Sequence, residues 1–298
     1  MGTLEGLRES DRPPLMMGEQ VPNEESWSVI SVPTSNSLIL GVDFPAAGRR
    51  EAGFGDLVAK MGPAWSGHGF VQTTLPSVRV SERPAGDFYT EHWMRGGDWD
   101  KYEVVAVLGY CLGGVYAAEI AERLAQRQGT EPKVVLFDGQ VTDIQLLAAE
   151  INKMVALAGP VFSDEEAEQA RKRAAEIVGT PSISLVDAAI EIVELYRETA
   201  STAFKRIGLS DSRRDEVVQL FETYMSWLSA AVDIDPSQTW KRSLAITSSD
   251  YATLEANGAA TAVNATKMLG RRISLDTSHA DLLRDDSTVR TLLDHVEF

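Results

Sequence analysis

Apolar and polar positions along the chain fall into two regimes. In the first, short runs of branched and aromatic residues are separated by turn chemistry. They are WSVISVP from Trp27, SLILGVDF from Ser37, GFVQTTLP from Gly69, EVVAVLG from Glu103 and KVVLFD from Lys133. Runs this short and apolar predict buried strands. Helical spacing intervenes in REAGFGDLVAKMG from Arg50 and in VYAAEIAERLAQRQG from Val115, the latter closing on a Gly129 C-cap. Strands alternating with helices predict parallel pairing and a sheet covered on both faces.

In the second regime, from about residue 141, the alternation stops and four helical patterns follow one another. The first is TDIQLLAAEINKMVALAG. The second, SDEEAEQARKRAAEIVG, opens with a capping box of Ser163 and Glu166. SLVDAAIEIVELYRETASTAFKRIG follows Pro181. SDSRRDEVVQLFETYMSWLSAAV places Val217, Phe221, Tyr224, Leu228 and Ala231 on one face. Strand signals return in SLAITSSD and RRISLD, and STVRTLLDHVEF ends the chain as a helix. The expected organisation is a loose tail over 1–25 and an α/β core over 26–140 and 237–298. A helical insertion over 141–236 divides that core.

Composition narrows the classes. Among 298 residues, 44% are hydrophobic and 24% charged, as in ordinary globular proteins, and no apolar run reaches membrane-spanning length. The first residues lack the apolar core of a signal peptide, and a single cysteine excludes an internal disulfide; both favour the cytoplasm. A formal charge of −16 with no basic segment disfavours nucleic acid.

That single cysteine stands in Gly109-Tyr110-Cys111-Leu112-Gly113-Gly114, between a strand run and a helix pattern. Small residues two before and two after a nucleophile are what a strained strand-to-helix elbow needs. A helix N-terminus at the sulfur, with its dipole and free N–H groups, favours a thiolate. A buried structural cysteine in a glycine-rich turn is the plain alternative. A thiol nucleophile needs a base and a group to orient it. His279, in LDTSHADLL near the C-terminus, is the candidate base; His68, His92 and His295 are expected to be surface or core histidines. Two acids end strand runs, Asp138 after KVVLF and Asp250 after LAITSS, and either could reach one imidazole.

These motifs resemble the thioesterase-like α/β hydrolases that unload polyketide and nonribosomal-peptide assembly lines. Gly109–Gly114 matches their G-x-S-x-G-G elbow with cysteine for serine, and Phe44-Pro45-Ala46-Ala47-Gly48 matches their FPPAGG-like loop. The resemblance implies an α/β-hydrolase fold with an all-helical lid and no cofactor or metal. It also implies an oxyanion hole from the N–H groups of Ala47 and Leu112, and Asp138 as the favoured acid. Phe44, Tyr110, Phe221, Tyr224, Met225, Trp227 and Leu228 are expected to line the substrate site. Cysteine at the elbow is similar to the off-loading Dieckmann cyclases, which release a β-ketoacyl-aminoacyl chain from a phosphopantetheinylated carrier protein as a tetramic acid or pyridone. A hydrolytic thioesterase, a carrier-to-carrier acyltransferase and a non-catalytic carrier-binding protein remain the alternatives.

Overall fold

Seven runs form strands in the computed structural model, which describes residues 24–44, 50–65, 67–158 and 161–298. They are β1 (Trp27–Ser31), β2 (Ser37–Val42), β3 (Gly69–Thr73), β4 (Glu103–Tyr110), β5 (Lys133–Phe137), β6 (Leu244–Thr247) and β7 (Arg271–Ser274). They lie in one sheet in the order β1-β3-β2-β4-β5-β6-β7. Every neighbouring pair is parallel except β1 with β3, so the expected parallel sheet carries one antiparallel edge. The short link after β1 explains the exception. It can reverse the chain but cannot hold the long crossover that a parallel return requires.

Alternation along the strands sorts side chains into two cores. Leu38, Leu40, Val42, Val107 and Leu136 face one side, under α2 (Gly86–Arg95), α3 (Gly113–Gln128) and the inserted helices. Ile39, Ala106, Leu108, Phe137 and Ile246 face the other, under α1 (Phe54–Met61) and the C-terminal segment.

The insertion consists of α4 (Ile144–Ala158), α5 (Asp164–Val178), α6 (Leu185–Arg206) and α7 (Asp211–Ala230), between β5 and a short α8 (Ser237–Trp240). Serine caps set three of the starts. Ser163 accepts from the Glu166 N–H while Glu166 accepts from the Ser163 N–H, and Ser184 and Ser210 each accept from the residue three further on. The single apolar face expected of α7 differs from the one observed. Val217 is exposed and Val218 buried, and from Met225 to Ala230 every side chain is buried. That half of the helix is enclosed: the Tyr116 hydroxyl of α3 donates to the Trp227 carbonyl, and the Tyr89 hydroxyl of α2 donates to Ser226 Oγ.

The chain then adds β6, α9 (Ser249–Ala256), α10 (Ala260–Thr266), β7 and α11 (Asp286–His295). Among the described residues, no helix is long and apolar enough to cross a membrane. The expected loose tail lies almost wholly outside the described residues.

Candidate active site

The backbone presents the thiol. Cys111 has φ 52°, in the left-handed region that costs a side-chain-bearing residue roughly 1–2 kcal/mol. Two glycines make the bend sterically possible. A Cβ on Gly109 would stand 2.4 Å from Gly114 Cα, and one on Gly113 would stand 2.1 Å from the Val42 carbonyl oxygen. The Cys111 N–H stays on the sheet ladder, donating to the Phe137 carbonyl at 2.8 Å. Leu112 follows at the N-terminus of α3, and among the described residues its N–H meets no acceptor. Ala47, the other expected oxyanion donor, lies outside the described residues.

The next strand brings the acid. Asp138, just past β5, is fully buried and also left-handed, with φ 48°. Its Oδ1 accepts the Ser248 N–H at 2.7 Å, and its Oδ2 accepts the Ser248 hydroxyl at 2.6 Å. Oδ2 also meets His279 Nδ1 at 2.7 Å. A carboxylate there makes Nδ1 the donor, which leaves Nε2 for the Cys111 sulfur, the ring's second hydrogen-bond partner. Burial alone would lower the imidazole pKa. The hydrogen bonds to Asp138 and Cys111, with the charges of both, outweigh it and push the value up from 6.5 to about 10.

Asp250 has a different place from the one expected. It lies in the first turn of α9 rather than at a strand end, and its Oδ2 accepts the backbone N–H of His279 at 2.7 Å. The acid that meets the imidazole is Asp138; Asp250 fixes the main chain that carries it. Ser248 and this use of Asp250 escape sequence reasoning, since both depend on β6 and β7 being brought beside β5. Tyr110 completes the support. Its ring stacks on His279 at 4.7 Å between centroids, and its hydroxyl donates to the His279 carbonyl at 2.8 Å.

Cys111, Asp138 and His279 open into one cavity of about 310 Å³. Leu146, Ala149 and Lys153 of α4 form part of its wall, opposite Tyr251 and Leu254 of α9. Gln140 and Glu51 also line it. The insertion therefore meets the thiol mainly through α4. Tyr224 of α7 packs edge-on against Phe44 at 4.7 Å, and its phenol feels the charges of Glu150 and Cys111. The structure differs from expectation for Tyr110, Met225, Trp227 and Leu228, which are buried away from the cavity. Alternation turns Tyr110 to the other face of the sheet, and the enclosure of α7 accounts for the rest. Phe221 packs against Tyr196 within the insertion, ring centroids 4.4 Å apart.

The other histidines lie elsewhere. His68 meets Ser37, His92 the Glu25 carbonyl, and His295 pairs with Arg271. A larger groove of about 830 Å³ runs past Lys133, Leu244 and Arg271, at the opposite ends of the strands. Open α/β sheets bind ligands at the carboxyl ends of their strands, where Cys111 and Asp138 stand.

A thiol on an elbow after the central strand, an acid after the next strand and a histidine beyond the last define the α/β-hydrolase fold. No protein-family model matches the chain, and no curated protein matches its sequence. Among solved structures it is similar to the Vlm2 thioesterase domain bound with a dodecadepsipeptide, at 13% identity over 91% of this chain and 97% of that one, with a TM-score of 0.51. It also matches a putative α/β hydrolase from Nostoc sp PCC 7120, at 13% identity over 93% and 97%, TM-score 0.48. The type II thioesterase BorB from the borrelidin biosynthetic cluster matches at 13% identity over 93% and 99%, TM-score 0.46. At such identity the likeness speaks of fold.

Proposed function

We propose that this chain is an off-loading cyclase: Cys111 takes a β-ketoacyl-aminoacyl chain from a carrier-protein thioester and releases it by Dieckmann condensation as a tetramic acid or pyridone. The observation that carries the reading is the thiol itself, set on the elbow and hydrogen-bonded to a histidine whose other nitrogen meets a buried carboxylate.

The chemistry follows from that set. His279 already carries the proton it shares with Cys111 when sulfur attacks the thioester carbonyl, and gives it to the departing pantetheine thiol. The Leu112 N–H faces the developing oxyanion. The carbon between the ketone and amide carbonyls then gives its proton to His279. The resulting carbanion attacks the acyl-enzyme carbonyl, and the ring closes as the sulfur leaves and regains the proton. Intramolecular geometry supplies up to about 7–11 kcal/mol of such a barrier. A thioester suits this step better than an oxygen ester, being the stronger electrophile toward carbon and carrying the better leaving group.

Lys153 adds support. Its Nζ donates to the buried Glu150 at 2.7 Å and shares the cavity with Cys111. Its side chain is 62% exposed; local desolvation opposes its charge, but the pull of Glu150 and Cys111 prevails and raises its pKa. An ammonium there meets the enolate as its charge develops. The test is incubation with a synthetic β-ketoacyl-aminoacyl N-acetylcysteamine thioester and mass spectrometry of the product. The cyclase yields a ring lighter than the free acid by one water. Free acid alone would make the chain a hydrolase, and dependence on a second carrier would make it an acyltransferase.

A further inference from the structure

Gln140 is a buried polar side chain of the cavity that meets no partner among the described residues. It is 8% exposed and stands two residues beyond Asp138. Its backbone N–H donates to the Cys111 carbonyl at 3.3 Å, which holds it beside the elbow. Its side-chain amide has no hydrogen-bond partner among the described residues, and neither of its polar atoms is sealed from the cavity. Of its polar neighbours on the same loop, Asp143 Oδ1 accepts from the Leu146 N–H at 3.0 Å, whereas the buried Thr142 hydroxyl meets no partner among the described residues.

An unpaired amide this deeply buried forfeits free energy unless something in the cavity completes it. A primary carboxamide presents a carbonyl acceptor and N–H donors side by side. A secondary amide answers it through its N–H, which donates to the carboxamide oxygen, while its own carbonyl lies on the opposite side of the planar trans unit. Leu146, Ala149 and Leu254 make other parts of the wall apolar, so a group bonded to Gln140 would be fixed in position there.

We propose that Gln140 is a specificity-determining residue that binds the secondary amide of the acyl chain held on Cys111, selecting N-acylaminoacyl thioesters over simple acyl thioesters of equal length. This rests on the reading of Cys111 as the acyl-carrying thiol, and it deepens that reading by naming the feature of the chain that is recognised. Held there, the amide fixes the rotation of the neighbouring bonds and turns the carbon between the two carbonyls toward the thioester.

A secondary amide also occurs in the pantetheine arm, so the experiment separates the two sources. Rates of acyl-enzyme formation on the full chain are measured by mass spectrometry for three thioesters. The first is a β-ketoacyl-aminoacyl chain on N-acetylcysteamine, and the second has methylene in place of the acyl-chain N–H. The third carries the first acyl chain on ethanethiol, which has no amide. The expected preference of the parent for the first over the second is roughly 10–100-fold, the worth of a lost hydrogen bond that strands a buried partner. Gln140→Met, of similar volume, should bring that ratio toward one, as should Gln140→Asn, which is too short to reach.

A parent that treats the first two alike would overturn the inference, and so would a Gln140→Met ratio equal to the parent's. A loss of rate from the first thioester to the third that Gln140→Met removes would assign the amide to the pantetheine arm and overturn it equally. Whether the parent releases ring or acid is read from the same samples and bears on the cyclase reading alone.

Discussion

Replacing Asp138 with asparagine tests the site at its most constrained point. Asp138 Oδ1 receives a backbone N–H, from Ser248, which cannot turn round. The asparagine carbonyl must therefore keep that position, and its NH₂ must take the place of Oδ2. There it faces His279 Nδ1 and the Ser248 hydroxyl. The hydroxyl can rotate to accept; the imidazole can accept only by moving its proton to Nε2. That nitrogen then presents N–H to Cys111 and is no base. The rise of the imidazole from 6.5 to about 10 corresponds to roughly 5 kcal/mol, held by Asp138 and Cys111 together against burial. A fall of about 10⁴ in turnover, as when a triad aspartate becomes an amide, is of the same size. Single-turnover acylation with the N-acetylcysteamine thioester measures it, with circular dichroism showing that the fold persists. A folded Asp138→Asn protein within tenfold of the parent would refute the reasoning. Asp250→Asn is the control, since its amide oxygen can still accept the His279 N–H; a loss under about tenfold is expected.

Cys111→Ser should keep the fold but slow ring closure more than acylation, so that hydrolysed acid gains share; an unchanged ring-to-acid ratio would make the thiol incidental. Gly113→Ala sets a Cβ 2.1 Å from the Val42 carbonyl, and a loss of about 1–3 kcal/mol or more is expected from its urea midpoint. A shift below ~0.5 kcal/mol would show that the elbow has room. His279 binds its proton more tightly folded than unfolded, so its contribution to stability is full below pH 6.5 and disappears as pH rises through about 10. The melting temperature should fall across that window, and His279→Gln should flatten the slope; an identical slope in the variant would deny the coupling.

The elements legible in the sequence are those with strong local patterns. Short apolar runs mark the strands, and the serine starts of α5 to α7 stand out from the residue order alone. The periodicity of α2 is blurred by its charges and flanking glycines, and α9 and α10 are built of small residues with little amphipathic contrast. Sheet order and the reversed β1 are not local properties at all. Cys111, Asp138 and His279 are legible because motif and strand-end position single them out. Ser248, the use of Asp250 and the unpaired Gln140 are not, because each acquires its role only from residues far away in the chain.

The site is divided between two stretches of polypeptide. The thiol and the acid precede the helical insertion, whereas the histidine, with Ser248 and Asp250 that brace it, follows the insertion. Synthesis runs from the N-terminus, so a ribosome exposes Cys111 well before its partner exists. The elbow waits as an ordinary cysteine until the last two strands add to β5 and carry the imidazole into place. On the proposed reading, maturation of reactivity is an event in folding, and a rise in the alkylation rate of Cys111 in a nascent chain would time the docking of β6 and β7.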